Sequence, residues 1–449
     1  MPPHRPTAAR PRPPRSPFRS PRRPGPVAGR LGRAAAGGPG SVAWPWLLCA
    51  AWALSFPLFS SLGPHRLWGL CAGSGYLLAA ACAHRIPRAV LPAALTGAVL
   101  VPMLWLVATG QGQSEVAVIE RAGVLTVAGG TPWLPDPVSV AEYTPYLPAV
   151  ALFGLPRALF GDGGGLGEPW ATVARVLGDA RLWCAAVFFA GFLAAGRPPG
   201  PGERPGGRGP TVGGDGRGWA LALVASPLVA LPMTVSGVDL PSIGLCVFAL
   251  AAVGAGRPGR AGLALAVVCA TKWILWPVLP VALALAAATG GRRAAARCGA
   301  SAMLGTAALV APAALLAPGE LWRQVVEFPT GRAVVATPAS SPMPGRLLAQ
   351  ALPGGWWLAA GLVACGALAV GLSLVLRPPR DPGAAALRLA LGLAVAFLGA
   401  PTGRWGYLAV PVLLALWGWT ARGPDGPVPA PAIDGGRAVS AGGPSRAGG

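Results

Sequence analysis

Four side chains in this 449-residue chain stand where chemistry is possible. Lys272 is the single lysine, all other basic chain positions apart from the histidines being arginine, and it lies near the middle of an apolar run over residues 261–289. An ammonium at membrane depth is costly unless paired, so such a lysine marks a substrate or ion path, or else a leftover whose stem snorkels to an interface. Asp239, in Ser236-Gly237-Val238-Asp239-Leu240, is either a partner for that ammonium or a short acidic cap at a helix start. Glu115 follows directly on the apolar run 89–110, at the level where the head group of a lipid-linked substrate would lie; the alternative is a solvated surface carboxylate. Arg404 sits in the short turn 402–406 between two apolar runs. A guanidinium there binds a substrate phosphate through its planar fork, or a lipid phosphate at the interface.

The elements that must position these residues are membrane helices. Hydrophobic residues make up 53% of the chain and charged ones 11%, with a mean hydropathy of +0.55, which excludes an ordinary soluble domain. Apolar runs occur at 43–62, 67–83, 89–110, 181–195, 219–236, 240–255, 298–318, 356–376, 384–400 and 405–420, several shorter than the ideal of about 20 residues. Away from water their backbone groups must bond internally, so helices are the default. The alternating strands of a membrane barrel are absent from the sequence. The expected fold is all-α, a polytopic transmembrane helical bundle of about 10–12 membrane segments with helices in its outer loops.

The net charge of +21 is not a nucleic-acid signal. Nine arginines fall in residues 1–40 among Pro and Gly with no acidic residue, a composition that cannot bury a core and reads as a disordered cytoplasmic tail attracted to anionic lipid. A second disordered tail is expected over 421–449, leaving 41–420 as the membrane domain. Cytoplasmic loops carry the excess of positive charge, which places 84–88, the linker 196–218, 257–260, 292–297 and 377–380 inside. Segments 111–179 and 319–355 and the turn 402–406 then lie outside. Both termini are cytoplasmic on this threading, in a multi-pass protein of the plasma membrane.

Two pieces are constrained by parity. Residues 146–160 are proline-punctuated and short, and are expected to be interfacial or re-entrant. Both flanks of 261–289 fall inside, so two half-helices turning near Lys272-Trp273-Ile274-Leu275-Trp276-Pro277 are expected, with Lys272 at the turn and Pro277 and Pro280 supplying the break. The eight cysteines show no CxxC spacing and the three histidines are scattered, so neither a metal site nor a cofactor is expected. Glycine-rich stretches at 161–167 and 196–218 lack a preceding strand and read as linkers.

From Glu115 onward the order of features resembles glycosyltransferase family 87, the polyprenol-phosphate-sugar-dependent mannosyltransferases of the GT-C superfamily. The resemblance is carried by Glu115-Val116-Ala117-Val118-Ile119, Arg121-Ala122-Gly123, Gly129-Gly130-Thr131-Pro132-Trp133 and Tyr143-Thr144-Pro145-Tyr146-Leu147-Pro148. It continues through Ser236-Gly237-Val238-Asp239-Leu240 and Ala270-Thr271-Lys272-Trp273 with Pro277, covering about residues 90–420. The family has an aspartate where this chain has Glu115, a tyrosine where it has Ile119, and lacks the two apolar runs before the catalytic loop.

The resemblance implies an integral membrane enzyme that moves a hexose, mannose by analogy, from a polyprenyl-phosphate donor to a glycolipid or glycan acceptor with inversion. Glu115 would be the general base. Lys272 and Arg404 would hold the leaving phosphate, with Asp239, Tyr143 and Arg121 as further substrate-binding positions. A different class of function also fits the residues: a transporter or lipid-handling protein built around an intramembrane Lys272–Asp239 pair. A third reading is a transferase bundle that no longer turns over. The partners expected are a lipid-linked sugar donor, the acceptor and membrane lipids, with no nucleic acid.

Overall fold

The computed structural model describes residues 43–165, 167–196 and 221–421. The expected tail 1–40, the expected tail 421–449 beyond the helical Ala421, and the linker 196–218 beyond Gly196 lie outside the described residues. Every extended regular element within them is a helix, and the β pairing among them is one isolated bridge, Ser340 to Gly403.

Among the described residues, five helices are long and apolar enough to cross a membrane: Gly63–Arg85, Pro87–Ala108, Trp273–Leu316, Gly355–Leu376 and Pro382–Gly399. The pair Trp170–Gly178 and Ala180–Ala195, bent by 47°, makes a sixth if taken as one span. The other apolar runs give shorter helices, Trp44–Phe59, Leu240–Gly254, Pro258–Thr271 and Trp405–Ala421 among them. Their shortness has local causes. The 219–236 run is broken at Ser226, whose ψ of 147° is what the following Pro227 favours. Leu240–Gly254 has 15 residues, about 22 Å at 1.5 Å per residue, against a hydrocarbon core of about 30 Å.

Residues 258–316 make three passes. Helix Pro258–Thr271 ends at Lys272, whose backbone is extended (φ −143°, ψ 123°). A single 3-10 turn, Trp273–Leu275, leads into the next helix at Val278. That helix reverses at Gly291, where φ is +73° and ψ −176°, a conformation open to glycine because it has no side chain to clash. Leu283 therefore packs back on Gly299, while Gly262 lies against Cys298 and Ser301. The half-helix turn expected at Lys272–Pro277 is present, and the apparent 44-residue span Trp273–Leu316 is two helices.

Following the chain from turn to turn separates the charges into two ends. Arg85, Arg88, Arg257, Arg260, Arg292, Arg293, Arg297, Arg377 and Arg380 gather at one, where Asp381 caps helix Pro382–Gly399. At the other lie Glu115, Glu120, Asp136, Glu142, Asp179, Asp239, Glu320 and Glu327 together with Arg121, Arg157, Arg175, Arg181, Arg323 and Arg404, and the ion pairs among the described residues are all at that end. Between the ends, the largest core joins Val247, Leu250, Leu265, Val268, Leu285, Leu389 and Leu413. In lipid, packing of this kind rather than water exclusion holds helices together.

The helix that carries Glu115, Ser114–Gly129, crosses helix Ala151–Phe160 with backbones touching. A methyl group on Gly123 would lie 2.1 Å from the Gly154 carbonyl carbon, and one on Gly154 would lie 2.0 Å from the Ile119 carbonyl oxygen. Ile119 and Ala122 are buried against Val150 and Phe153 at this crossing. Overpacking costs about 1–3 kcal/mol even where neighbours can yield, and here the neighbour is backbone. Gly123→Leu is expected to lower the thermal midpoint of detergent-solubilised protein by several degrees, while Gly259→Ala, whose added methyl meets nothing within 4 Å, leaves it in place.

Candidate functional site

The break at Lys272 leaves the carbonyls of a helix C-terminus without helical partners, and a helix end buried in protein requires substitutes. One regular bond closes the helix and two other donors supply substitutes. The Lys272 N–H donates to Val268 O (3.2 Å), the Leu147 N–H to Thr271 O (2.9 Å) and the Trp276 indole to Cys269 O (2.8 Å). Trp273 donates to Val325 O (3.0 Å), tying the turn to the second outer segment. The chain can thus stop a helix at depth and present the Lys272 side chain, 8% exposed, to a cavity instead of to lipid.

Asp239 lies at the start of helix Leu240–Gly254, and its carboxylate makes no capping bond. It pairs with the Lys272 ammonium. The carboxylate therefore stands at a helix N-terminus and the ammonium at a helix C-terminus, each the sign that the helix dipole favours. The ring of Tyr146 lies 4.9 Å from the Lys272 nitrogen, a second, cation–π contact.

Glu115 occupies the first turn of helix Ser114–Gly129, again where a negative charge is favoured. Its carboxylate pairs with one terminal nitrogen of Arg404. The turn carrying Arg404 is pinned to the second outer segment: Gly403 N–H donates to Ala339 O (3.0 Å) and Ser341 N–H to Gly403 O (3.0 Å).

These groups open on one cavity of about 310 Å³, whose walls include Glu115, Tyr143, Tyr146, Lys272, Trp273, Phe328, Trp356, Arg404 and Tyr407. Pockets of this size with apolar walls and a few convergent polar groups are the usual form of a small-molecule site. The chain has four tyrosines, and three of them, Tyr143, Tyr146 and Tyr407, line this cavity together with its one lysine. Tyr143 stacks on Phe328 with ring centroids 4.2 Å apart.

Among the expected site residues, Asp239 meets the cavity only through its pair with Lys272, and Arg121 stands apart altogether. It does not line the cavity; its guanidinium donates to the Glu142 carbonyl (2.9 Å), and its Nε is buried without a partner. It braces the turn before Tyr143 from behind. Within that turn Glu142 accepts the Val138 N–H (2.7 Å) and Ser139 N–H (3.2 Å), which hold its carboxyl below the usual carboxylate range. The hold is complete at neutral pH and is lost as the pH falls through the lowered value. Glu120, expected on the solvated outer face, is partly buried: it accepts Arg157 Nε (2.9 Å) and Ala180 N–H (3.1 Å), and burial pushes its pKa up.

Two supports were invisible in the sequence. Arg181, 1% exposed, grips Asp179 through Nε (2.9 Å) and Nη2 (2.6 Å) and donates Nη1 to Thr234 O (2.9 Å). The neighbouring Val235 O accepts the Gln113 N–H (2.8 Å), so one buried pair braces the segments leading to both Glu115 and Asp239. Gln324, fully buried, accepts Thr144 N–H (2.9 Å) and donates to Leu134 O (2.7 Å) and Glu320 (2.7 Å), joining the two outer segments over the cavity. No group of three or more His, Cys, Asp or Glu side chains placed to hold a metal ion occurs among the described residues.

No family model, no curated protein and no solved structure matches this chain.

Proposed function

We propose that the protein is a membrane glycosyltransferase of GT-C type that moves a hexose from a polyprenyl-phosphate donor to a hydroxyl of a glycolipid or glycan. The observation that supports this is the convergence of Glu115, Lys272 and Arg404, far apart in the chain, on one cavity. A carboxylate and two cations around a common space are what such a transfer requires. Glu115 accepts the proton of the acceptor hydroxyl as that oxygen bonds to the anomeric carbon. The bond from that carbon to the phosphate oxygen breaks on the opposite side, its electron pair stays with the phosphate, and the sugar inverts. Charge on the departing phosphate grows, and fixed cations act where charge develops; Arg404 and Lys272 take that role. The ten apolar runs and the two half-helices that meet at Lys272 serve as the bundle's membrane segments. With the arginine end taken as cytosolic, the cavity faces the far side of the plasma membrane, where a lipid-linked donor needs no nucleotide.

A second reading draws on the Lys272–Asp239 pair, the feature that a carrier with an intramembrane charge pair would use. One experiment separates the two. Vesicles carrying the chain are expected to consume a polyprenyl-phosphate hexose and release polyprenyl phosphate, against none in vesicles without it. Uptake of a solute in the absence of any lipid-linked sugar, lost in Lys272→Met, would put the carrier in the transferase's place.

A further inference from the structure

Resting on the transferase reading, we infer that the Arg404–Glu115 ion pair is a latch that the donor's phosphate opens, so that the base is released only once the donor is bound. The two arginine–carboxylate pairs near the site are built differently. Arg181 engages both oxygens of Asp179, spends its third nitrogen on Thr234 O and is sealed from solvent. Nothing can displace it without breaking three bonds. Arg404 touches Glu115 through one nitrogen, makes no other side-chain bond among the described residues, and lines the cavity with its side chain one-third exposed. The rest of its fork is free for a phosphate, which guanidinium binds through two parallel bonds where a single-nitrogen contact gives one.

The backbone on either side of Arg404 is fixed. Gly403 is bonded to both Ala339 and Ser341, and Trp405 N–H donates to Ser341 Oγ (3.3 Å). Opening the latch is therefore a swing of one side chain, with no movement of the outer segment. The charges explain why it opens. Before the donor enters, Glu115, Asp239, Lys272 and Arg404 balance as two negative and two positive groups. A singly charged phosphodiester competes with the two carboxylates for two cations, each held by one bond, and Glu115 is the one that yields. Its arginine is one-third exposed and both partners line the cavity, whereas the Lys272 ammonium is 9% exposed, is also held over the Tyr146 ring, and pairs with a carboxylate that does not line the cavity. Glu115 then loses its guanidinium partner, which leaves its carboxylate free to meet the acceptor hydroxyl. With the donor absent, Glu115 is occupied and the acceptor is not activated, so the donor binds first.

The test uses the wild-type chain in lipid nanodiscs with decaprenyl phosphate as the probe and structure determination as the readout. The expected result is Arg404 at about 3 Å from the phosphate oxygens and moved out of hydrogen-bond reach of Glu115. Phosphate bound beside Lys272 with the Arg404–Glu115 pair intact overturns the latch and leaves the transferase reading standing. Failure of the probe to enter the cavity overturns both. Initial rates give an independent check, since a dead-end acceptor analogue is expected to inhibit uncompetitively against the donor, and noncompetitive inhibition contradicts donor-first order.

Discussion

Glu115→Gln is expected to lower hexosyl transfer by about 10²–10⁴-fold, the usual contribution of a positioned general base, with expression and thermal midpoint unchanged. The substitution keeps the side chain's length and an oxygen that can still accept from Arg404. What it removes is the ability to take a proton. Glu115→Asp separates geometry from chemistry: it retains the carboxylate and withdraws it by one methylene, so a partial loss is expected, with transfer between that of the parent and of the glutamine variant. The measurement is release of polyprenyl phosphate from a labelled donor by equal amounts of each purified protein. Full turnover in Glu115→Gln would remove this residue from the reaction.

Lys272→Met has the second large effect, and it acts on two properties at once. The Lys272 ammonium is buried against Asp239 and the Tyr146 ring, and removing one partner of a buried pair costs about 3–5 kcal/mol because the other charge is left behind. The Asp239 side chain is 28% exposed, so the lower end of that range is expected. A double variant separates stability from function. Lys272→Met with Asp239→Asn removes both charges and is expected to recover most of the lost thermal midpoint, since a missing pair is tolerated far better than half of one. Binding of decaprenyl phosphate and hexosyl transfer are expected to stay at least tenfold down in both variants. Recovery of binding together with stability would make Lys272 a structural residue and leave Arg404 as the phosphate clamp.

The parts of this architecture legible in the sequence were those governed by rare residues and by charge. One lysine inside an apolar run, bracketed by arginines on both flanks, required a turn at depth, and the chain turns at Lys272. The same logic separated an end that collects the carboxylates from one that carries arginines nearly alone. Asp239 was ambiguous between cap and ion-pair partner because both put a short carboxylate at a helix start; the geometry decides for Lys272. Helix lengths were less legible, because hydropathy does not register an extended Ser226 or a left-handed Gly291. Gln324 was missed since its partners Thr144 and Leu134 lie far along the chain, and Arg181 since its neighbour Asp179 reads as a surface pair until Thr234 and the burial are seen. Tyr407 carried a usable signal: with four tyrosines in all, each was worth asking about, and this one follows Arg404 by three residues.

The central claim is a reaction, and its products test it most directly. The purified chain in nanodiscs is given a polyprenyl-phosphate hexose carbon-13-labelled at the anomeric position, together with lipid and glycan fractions of a cell envelope as acceptors, and the products are followed by nuclear magnetic resonance. One glycoside is expected per polyprenyl phosphate released, with its anomeric configuration opposite to that of the donor. A glycoside of retained configuration would contradict direct displacement with Glu115 as base, and an intact donor in the presence of every acceptor fraction would contradict the transferase itself.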